Sequence, residues 1–336
     1  MSVFLGRSTG LSHPGRKRRR NEDAWVCQPP LFAVADGMGG ARGGEIASRL
    51  AATALGETVE GSGEERVVAL IQRANQHVYE RARDDADASG MGTTITVALV
   101  EDGVVAIGHV GDSRGYLIRD RKVEQLTEDH SLVAELVRSG RLSPEEADIH
   151  PQRSVITRAL GTDPDVDVDS FSIEAKPDDV FLICSDGLTS MIGDEAILGI
   201  VEQSRDNFEA IAKELIGAAN QSGGEDNITV VFFEMTDRAP EPVAETKTMP
   251  AVQAPPTADA DEDTLSGLEG VPTVQTMVVP PEQVHSLAAR EGPPEQTVPE
   301  EPPKERFSVR AARLIVALAV VAAMGLLVYW LLGQSR

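Results

Sequence analysis

The chain has 336 residues, 31 Lys and Arg against 54 Asp and Glu, and a formal charge of -23. That length holds one large domain or two ordinary ones, and the acidity excludes a broad positive field for nucleic-acid phosphates. Two cysteines, Cys27 and Cys184, exclude a disulfide framework and a cysteine-ligated zinc site.

The N-terminal MSVFLGRSTG has no apolar run behind a basic one, so no secretory signal is expected. Residues 1–236 carry 23 basic and 40 acidic side chains and read as the working domain. Short apolar runs at 31–35, 94–100, 104–110, 180–184 and 228–233 predict buried strands. Over 64–83, Val67, Ile71, Ala74 and Val78 share one helical face, and 46–55 and 208–219 read likewise. Strands and helices do not alternate regularly, which points to α+β layers rather than a doubly wound sheet.

Composition changes at residue 237. Residues 237–306 hold 13 of the 20 prolines, 14 acids against five bases, and no Phe, Tyr or Trp. Such a segment cannot bury enough apolar surface to offset its conformational entropy, and a disordered acidic Pro-rich linker is expected. Residues 307–336 are expected to form a juxtamembrane segment, a transmembrane helix and a short tail. Residues 314–332 are 19 uncharged positions, about 28 Å as a helix and close to a bilayer's hydrocarbon thickness. Tyr329 and Trp330 lie at the far end, with Lys304, Arg306, Arg310 and Arg313 before the run and Arg336 after it. That asymmetry orients the bulk of the chain towards the cytoplasm. A single-pass, tail-anchored protein of the plasma (inner) membrane is expected, with its catalytic domain cytoplasmic.

Within 1–236 one pattern recurs: an apolar run meets an Asp beside a small residue. Phe32-Ala33-Val34-Ala35 runs into Asp36-Gly37-Met38-Gly39-Gly40, Val110 into Gly111-Asp112-Ser113-Arg114, and Cys184 into Ser185-Asp186-Gly187. Asp226-Asn227 opens another strand, and Asn21-Glu22-Asp23 precedes the first. A single Asp-Gly is usually a plain turn. Several strand ends meeting at one sheet edge would cluster these acids. Their repulsion is relieved by a hard divalent cation that prefers oxygen ligands.

The ordered set resembles the metal-dependent Ser/Thr protein phosphatases of type 2C, the PPM family, and in particular their bacterial membrane-anchored branch. The residues carrying the resemblance are Arg18, Asn21-Glu22-Asp23, Ala35 to Gly40, Gly92-Thr93-Thr94, Gly111 to Arg114, Thr157-Arg158-Ala159-Leu160-Gly161, Ser185-Asp186-Gly187 and Glu225-Asp226-Asn227. The resemblance implies two packed antiparallel sheets flanked by helices, an α-β-β-α sandwich, with two Mn²⁺ or Mg²⁺ ions at one end. It implies that Asp36 bridges the ions, that Asp186 and Asp226 hold the first and the Gly37 carbonyl the second, and that Glu22 and Asp23 act through bound waters. Asp112 with Asp186 would hold a weaker third ion, Arg18 would bind the substrate phosphate, and 136–155 would be a mobile flap. The implied reaction is hydrolysis of phosphoserine and phosphothreonine by in-line attack of a water bridging the metals. Phosphorylated proteins are the implied partners, among them membrane Ser/Thr kinases, which the enzyme would oppose, and their substrates. Met38 stands where many relatives have a His proposed as general acid, and it has no proton to give. Two other readings use the same fold: a catalytically silent phosphoprotein-binding adaptor and a small-metabolite phosphatase.

Other features have plainer explanations. Cys184 lacks the Arg six positions on that a cysteine phosphatase needs; position 190 is Ser190. The Asp/Val alternation from Asp163 to Asp169 has Val168 where a calcium loop needs Gly, and predicts a strand with one solvated face. Among Arg16 to Arg20, Arg18 is the site residue and its neighbours can steer anions. His109 and His130 read as structural. Thr246, Thr248, Thr273, Thr276 and Thr297 read as a polar spacer.

Overall fold

The computed structural model describes residues 3–39, 43–85 and 88–239, together with the backbone of 277–278. All of these fall in one compact unit, Met1–Arg290; the second, Glu291–Arg336, lies outside the described residues. The expected transmembrane helix at 314–332 also lies outside them. Among the described residues no helix is long and apolar enough to cross a membrane.

The elements run β1 (Phe4–His13), β2 (Asp23–Gln28), β3 (Leu31–Met38), α1 (Gly43–Ala54), α2 (Gly63–Asp84), β4 (Gly92–Thr93), β5 (Ile95–Glu101), β6 (Val104–Val110), β7 (Arg114–Arg119) and β8 (Lys122–Gln125). They continue with α3 (Leu132–Arg138), α4 (Pro144–Asp148), β9 (Val155–Ile156), β10 (Asp169–Glu174), β11 (Val180–Cys184), α5 (Asp186–Thr189), α6 (Asp194–Gln203), α7 (Phe208–Gln221), β12 (Ile228–Thr236) and β13 (Met277–Val278). One sheet has the order β1-β12-β11-β7-β8 and the other β10-β6-β5-β3-β2, with β4 added to β3. Pairing within both sheets is antiparallel.

Side-chain alternation sorts the apolar residues into three layers. On β3, Phe32 and Val34 face the other sheet, while Ala33 and Ala35 face α1 and α2. On β11, Phe181 and Ile183 point inward, and Val180, Leu182 and Cys184 pack with residues of α5, α6 and α7. These strands are covered on both faces, which is why they read as continuous apolar runs. The small residues of α1, Ala47, Ala51 and Ala52, are buried and pack against the β2–β3 face. Phe233 joins the sheets: its ring stacks on Phe32 at 4.3 Å between centroids and on Phe181 at 4.9 Å.

The stretch from Asp163 to Val168 is not the predicted strand; the ladder begins only at Asp169. Side chains of α2 take its carbonyls instead. Asn75 Nδ2 donates to Asp163 O (3.0 Å) and Pro164 O (3.1 Å), and Gln72 Nε2 donates to Val166 O (2.5 Å). Backbone groups held this way are unavailable to a sheet. Residues 136–155 include the end of α3 and all of α4, whose start is a capping box between Ser143 and Glu146.

Phe233→Ala should lower unfolding free energy by about 3–5 kcal/mol, and Phe233→Leu by clearly less because it leaves a smaller cavity. Urea unfolding of the two variants beside the wild type measures both.

Candidate active site

The antiparallel arrangement brings the acid-bearing strand ends to one edge of the sandwich. β2 begins with Asp23, directly opposite Asp36 near the end of β3. Asp112 lies between β6 and β7, Asp186 follows β11, and Asp226 precedes β12. Arg18 and Glu22 come from the β1–β2 loop at the same edge.

Asp23 is 3 % exposed, and its Oδ2 accepts from Ser185 Oγ (2.9 Å) and Thr229 Oγ1 (2.5 Å) on the opposite sheet. Asp36 is fastened by its backbone to the end of β4 and the residue that joins it to β5. Its N–H reaches Thr94 Oγ1 (3.1 Å), and its carbonyl accepts from Thr93 Oγ1 (2.8 Å) and Thr94 N (2.9 Å). Thr94 Oγ1 also meets Ser113 Oγ at 2.9 Å, tying the Asp112 loop to Asp36. Asn227 joins three chain segments: Oδ1 accepts from Glu22 N (2.7 Å), and Nδ2 donates to Pro14 O (3.0 Å) and Arg20 O (2.9 Å). Glycine is required twice for close approach. A Cβ at Gly37 would strike the Gly44 carbonyl, and one at Gly187 the Asn227 carbonyl.

Burial and mutual repulsion raise the acids together. Burial lifts Asp23 to about 7 against the hydrogen bond from Thr229, with Asp226 adding repulsion. Asp186 is lifted to about 6 by burial and by Asp226. Asp36 is lifted well above the carboxylate range by burial, then by Asp23 and Asp186, and Asp112 likewise by burial, Asp186 and Asp129. Glu22 is raised by burial, with Arg18 opposing. A hydrogen bond between Asp36 and Asp186 lowers Asp186 against the effect of its burial.

Structure and expectation can be compared residue by residue. Asp36 is close enough to feel the charges of Asp23, Asp112, Asp186 and Asp226, so the five form one cluster, with Glu22 beside Asp226. Arg18, the residue expected to bind the substrate phosphate, lies at the cluster's margin with its Nη2 paired to Asp226 Oδ2 at 2.6 Å. Among the described residues no group of three or more His, Cys, Asp or Glu is arranged to hold a metal ion as it stands. The reason is visible in the partners. Asp226 is taken by Arg18, Asp36 by Asp186, and one oxygen of Asp23 by two hydroxyls. The donor set nonetheless suits a hard cation. It is all oxygen, and Asp23 Oδ1 and Asp186 Oδ1 are buried without an N–H or hydroxyl partner. A buried carboxylate oxygen in that condition calls for a proton or a cation.

Thr229, Ser48 and Asn227 were not singled out by sequence reasoning for the roles they play. Ser48 on α1 donates to the Glu22 carbonyl at 2.5 Å. Thr229 carried one signal, a hydroxyl inside an apolar strand. His109 and His130 are structural as expected. His109 is fully buried, held by Thr96 Oγ1 (2.9 Å) and the Glu128 carbonyl (3.1 Å), and burial with neighbouring His130 lowers it to about 3. Cys184 is buried, and burial raises its thiol to about 12, which leaves it inert.

Carboxyls raised in the folded state hold protons that the unfolded chain releases, so folding loses stability as pH rises from about 4 to about 7. In EDTA the urea midpoint should fall between about pH 5 and about pH 7.5. Excess Mn²⁺ should abolish that fall by replacing the protons. A metal-free midpoint that rises over this range would contradict the proton load assigned to the cluster.

The protein phosphatase 2C family model matches residues 9–229. A serine/threonine phosphatase stp of Listeria welshimeri is 41% identical over 233 residues, covering 66% of this chain and 92% of its own length. The PstP serine/threonine protein phosphatase of Mycobacterium tuberculosis is 39% identical over 235 residues, covering 69% of this chain and 45% of its own. A crystal structure of a PstP catalytic domain in complex with two manganese ions superposes with a TM-score of 0.64 at 36% identity, covering 70% of this chain and all of that one. Sequence, sandwich and buried carboxylate edge thus agree: the chain belongs to the protein phosphatase 2C family.

Proposed function

We propose that this protein is a divalent-cation-dependent serine/threonine protein phosphatase, tail-anchored in the plasma (inner) membrane and working on cytoplasmic phosphoproteins. The observation that carries the reading is the edge of the sandwich where five aspartates gather, with buried carboxylate oxygens that lack donors and an arginine at their margin. The relatives named as serine/threonine phosphatases support the reaction class. The uncharged run at 314–332 and its basic flank support the anchor. The acidic linker supports a tether that keeps the domain near membrane kinases and their substrates.

Asp36, Asp186 and Asp226 with the Gly37 carbonyl would hold two Mn²⁺ or Mg²⁺ ions, assisted by Glu22 and Asp23, and Asp112 with Asp186 would hold a third. Bound there, such ions activate water for attack on phosphorus and neutralise charge on the phosphoryl group. A cation at Asp226 would take the place of Arg18, and one at Asp36 would take the place of its contact with Asp186. A freed Arg18 offers a planar fork that matches phosphate oxygens, which a lysine could not reproduce. Asp23 keeps its place because Ser185 and Thr229 hold it from the opposite sheet. Met38 is 6 % exposed and carries no proton, so the leaving alkoxide takes its proton from another group.

Phosphate release from a phosphothreonine peptide should require Mn²⁺ and stop in EDTA; equal release under both conditions would refute cation dependence. Asp36→Asn should lower kcat by about two orders of magnitude or more. The same variant should lose most of the Mn²⁺-induced rise in melting temperature, a readout independent of turnover. Arg18→Ala should raise KM for the phosphopeptide about tenfold with a smaller change in kcat. An unchanged KM would remove Arg18 from phosphate recognition.

A further inference from the structure

Beside the carboxylate edge, β9 has one side committed to the fold. Ile156 bridges Ser131, and the Thr157 N–H donates to the His130 carbonyl at 2.9 Å. The Ile156 side chain is buried with Met38 and Ala159, and Met38 directly follows Asp36-Gly37. Val155 packs against Leu132 and Leu136 of α3. The other side of β9 carries β13, paired in parallel, with Met277 against Val155 and Val278 against Ile156.

β13 comes from the acidic linker, where its surroundings are unusual. Between Pro272 and Pro280 runs Thr-Val-Gln-Thr-Met-Val-Val, residues 273–279, without an acid or a proline. That composition favours an extended strand, and Pro280, lacking an N–H, bounds any ladder.

We infer that the side of β9 turned away from Ser131 is a docking edge for an extended peptide, and that the chain's own β13 is its resident occupant, competing with extended phosphoprotein substrates. The inference rests on the phosphoprotein reading above. Strand addition draws its affinity from backbone hydrogen bonds and asks little of the side chains, so it suits substrates of varied sequence. The 37 residues 240–276 separate the domain from β13. A coil of that length reaches about 33 Å, which corresponds to an effective concentration on the order of mM. A two-residue ladder too weak to join separate molecules is populated at that concentration, yet is easily displaced. The linker thereby tunes access as well as reach.

The test uses the full chain in detergent micelles, as wild type and as Met277→Pro and Val278→Pro singly, since neighbouring strand residues turn their N–H groups to opposite sides and one of the two faces β9. Kinetics are read on a phosphothreonine peptide and on p-nitrophenyl phosphate, and amide exchange is read across residues 155–156. If the edge is occupied about two thirds of the time, freeing it lowers KM for the peptide about threefold. At least one variant should show that fall together with faster exchange at Ile156, while Val155, whose N–H donates to the Gln152 carbonyl, and the constants for p-nitrophenyl phosphate stay unchanged. A synthetic peptide of residues 271–280 should raise KM for the phosphopeptide again in that variant. Equal KM values and unchanged exchange in both variants would overturn the inference. Failure of every protein to turn over either substrate would instead strike the phosphatase reading. Exchange would then decide the docking edge by itself, with acceleration sustaining it and no change overturning it.

Discussion

One carboxylate joins the two halves of the sandwich. Asp23 begins β2 in one sheet, and its Oδ2 is held by Ser185 and Thr229 from the other. Because it is buried, that group depends on the two hydroxyls of the other sheet, and the sheets cannot separate at this end without leaving it unpaired. Asp36 lies directly across the ladder, and Asp186 and Asp226 follow from the strands that supply the partners. Closing the sandwich here therefore concentrates negative charge in a dry place. Arg18 offsets part of that charge, and a bound cation could offset the rest.

The rest of the sandwich makes such an edge tolerable. The stack of Phe32, Phe233 and Phe181 welds the two sheets in the middle layer, and the helices cover the outer faces with alanine, leucine and isoleucine. Stability gained in these layers offsets the strain of gathered acids, the usual division between a scaffold and a functional site. Glycine at 37 and 187 lets loop backbones approach where any side chain would collide, so the acids stay at the edge.

His130 connects this edge to the region that receives β13. Its backbone N–H donates to the Gly111 carbonyl at 2.7 Å, its Nδ1 accepts from Gly111 N at 3.0 Å, and its carbonyl accepts from Thr157. Its Nε2 donates to Asp169 Oδ2 at 3.1 Å, and Arg158 Nη1 donates to the other oxygen of Asp169 at 2.6 Å. The Asp112 loop and β9 thus share one rigid partner. What happens on the outer side of β9 is one residue away from a group that positions the acids.

How much could be read before the fold was seen depends on the range of the physical signal. The strands at 104–110 and 180–184 and the α2 helix were readable because burial imprints a period on neighbouring residues. β1 and β2 were not, since their polar and small residues carry no such period, and β1 owes its place to its partner β12. Asp163 to Val168 failed for the converse reason: its alternation is that of a strand, but Asn75 and Gln72 hold its carbonyls in turns. By itself the sequence determined the acids, their glycine neighbours and their family resemblance, because those are properties of residue type and order. Only the tertiary structure decided that Arg18 rests on Asp226, that Asp36 meets Asp186, and that Thr229 and Asn227 brace the site. Those facts depend on distances between atoms far apart along the chain, and distance is set only once the two sheets have packed.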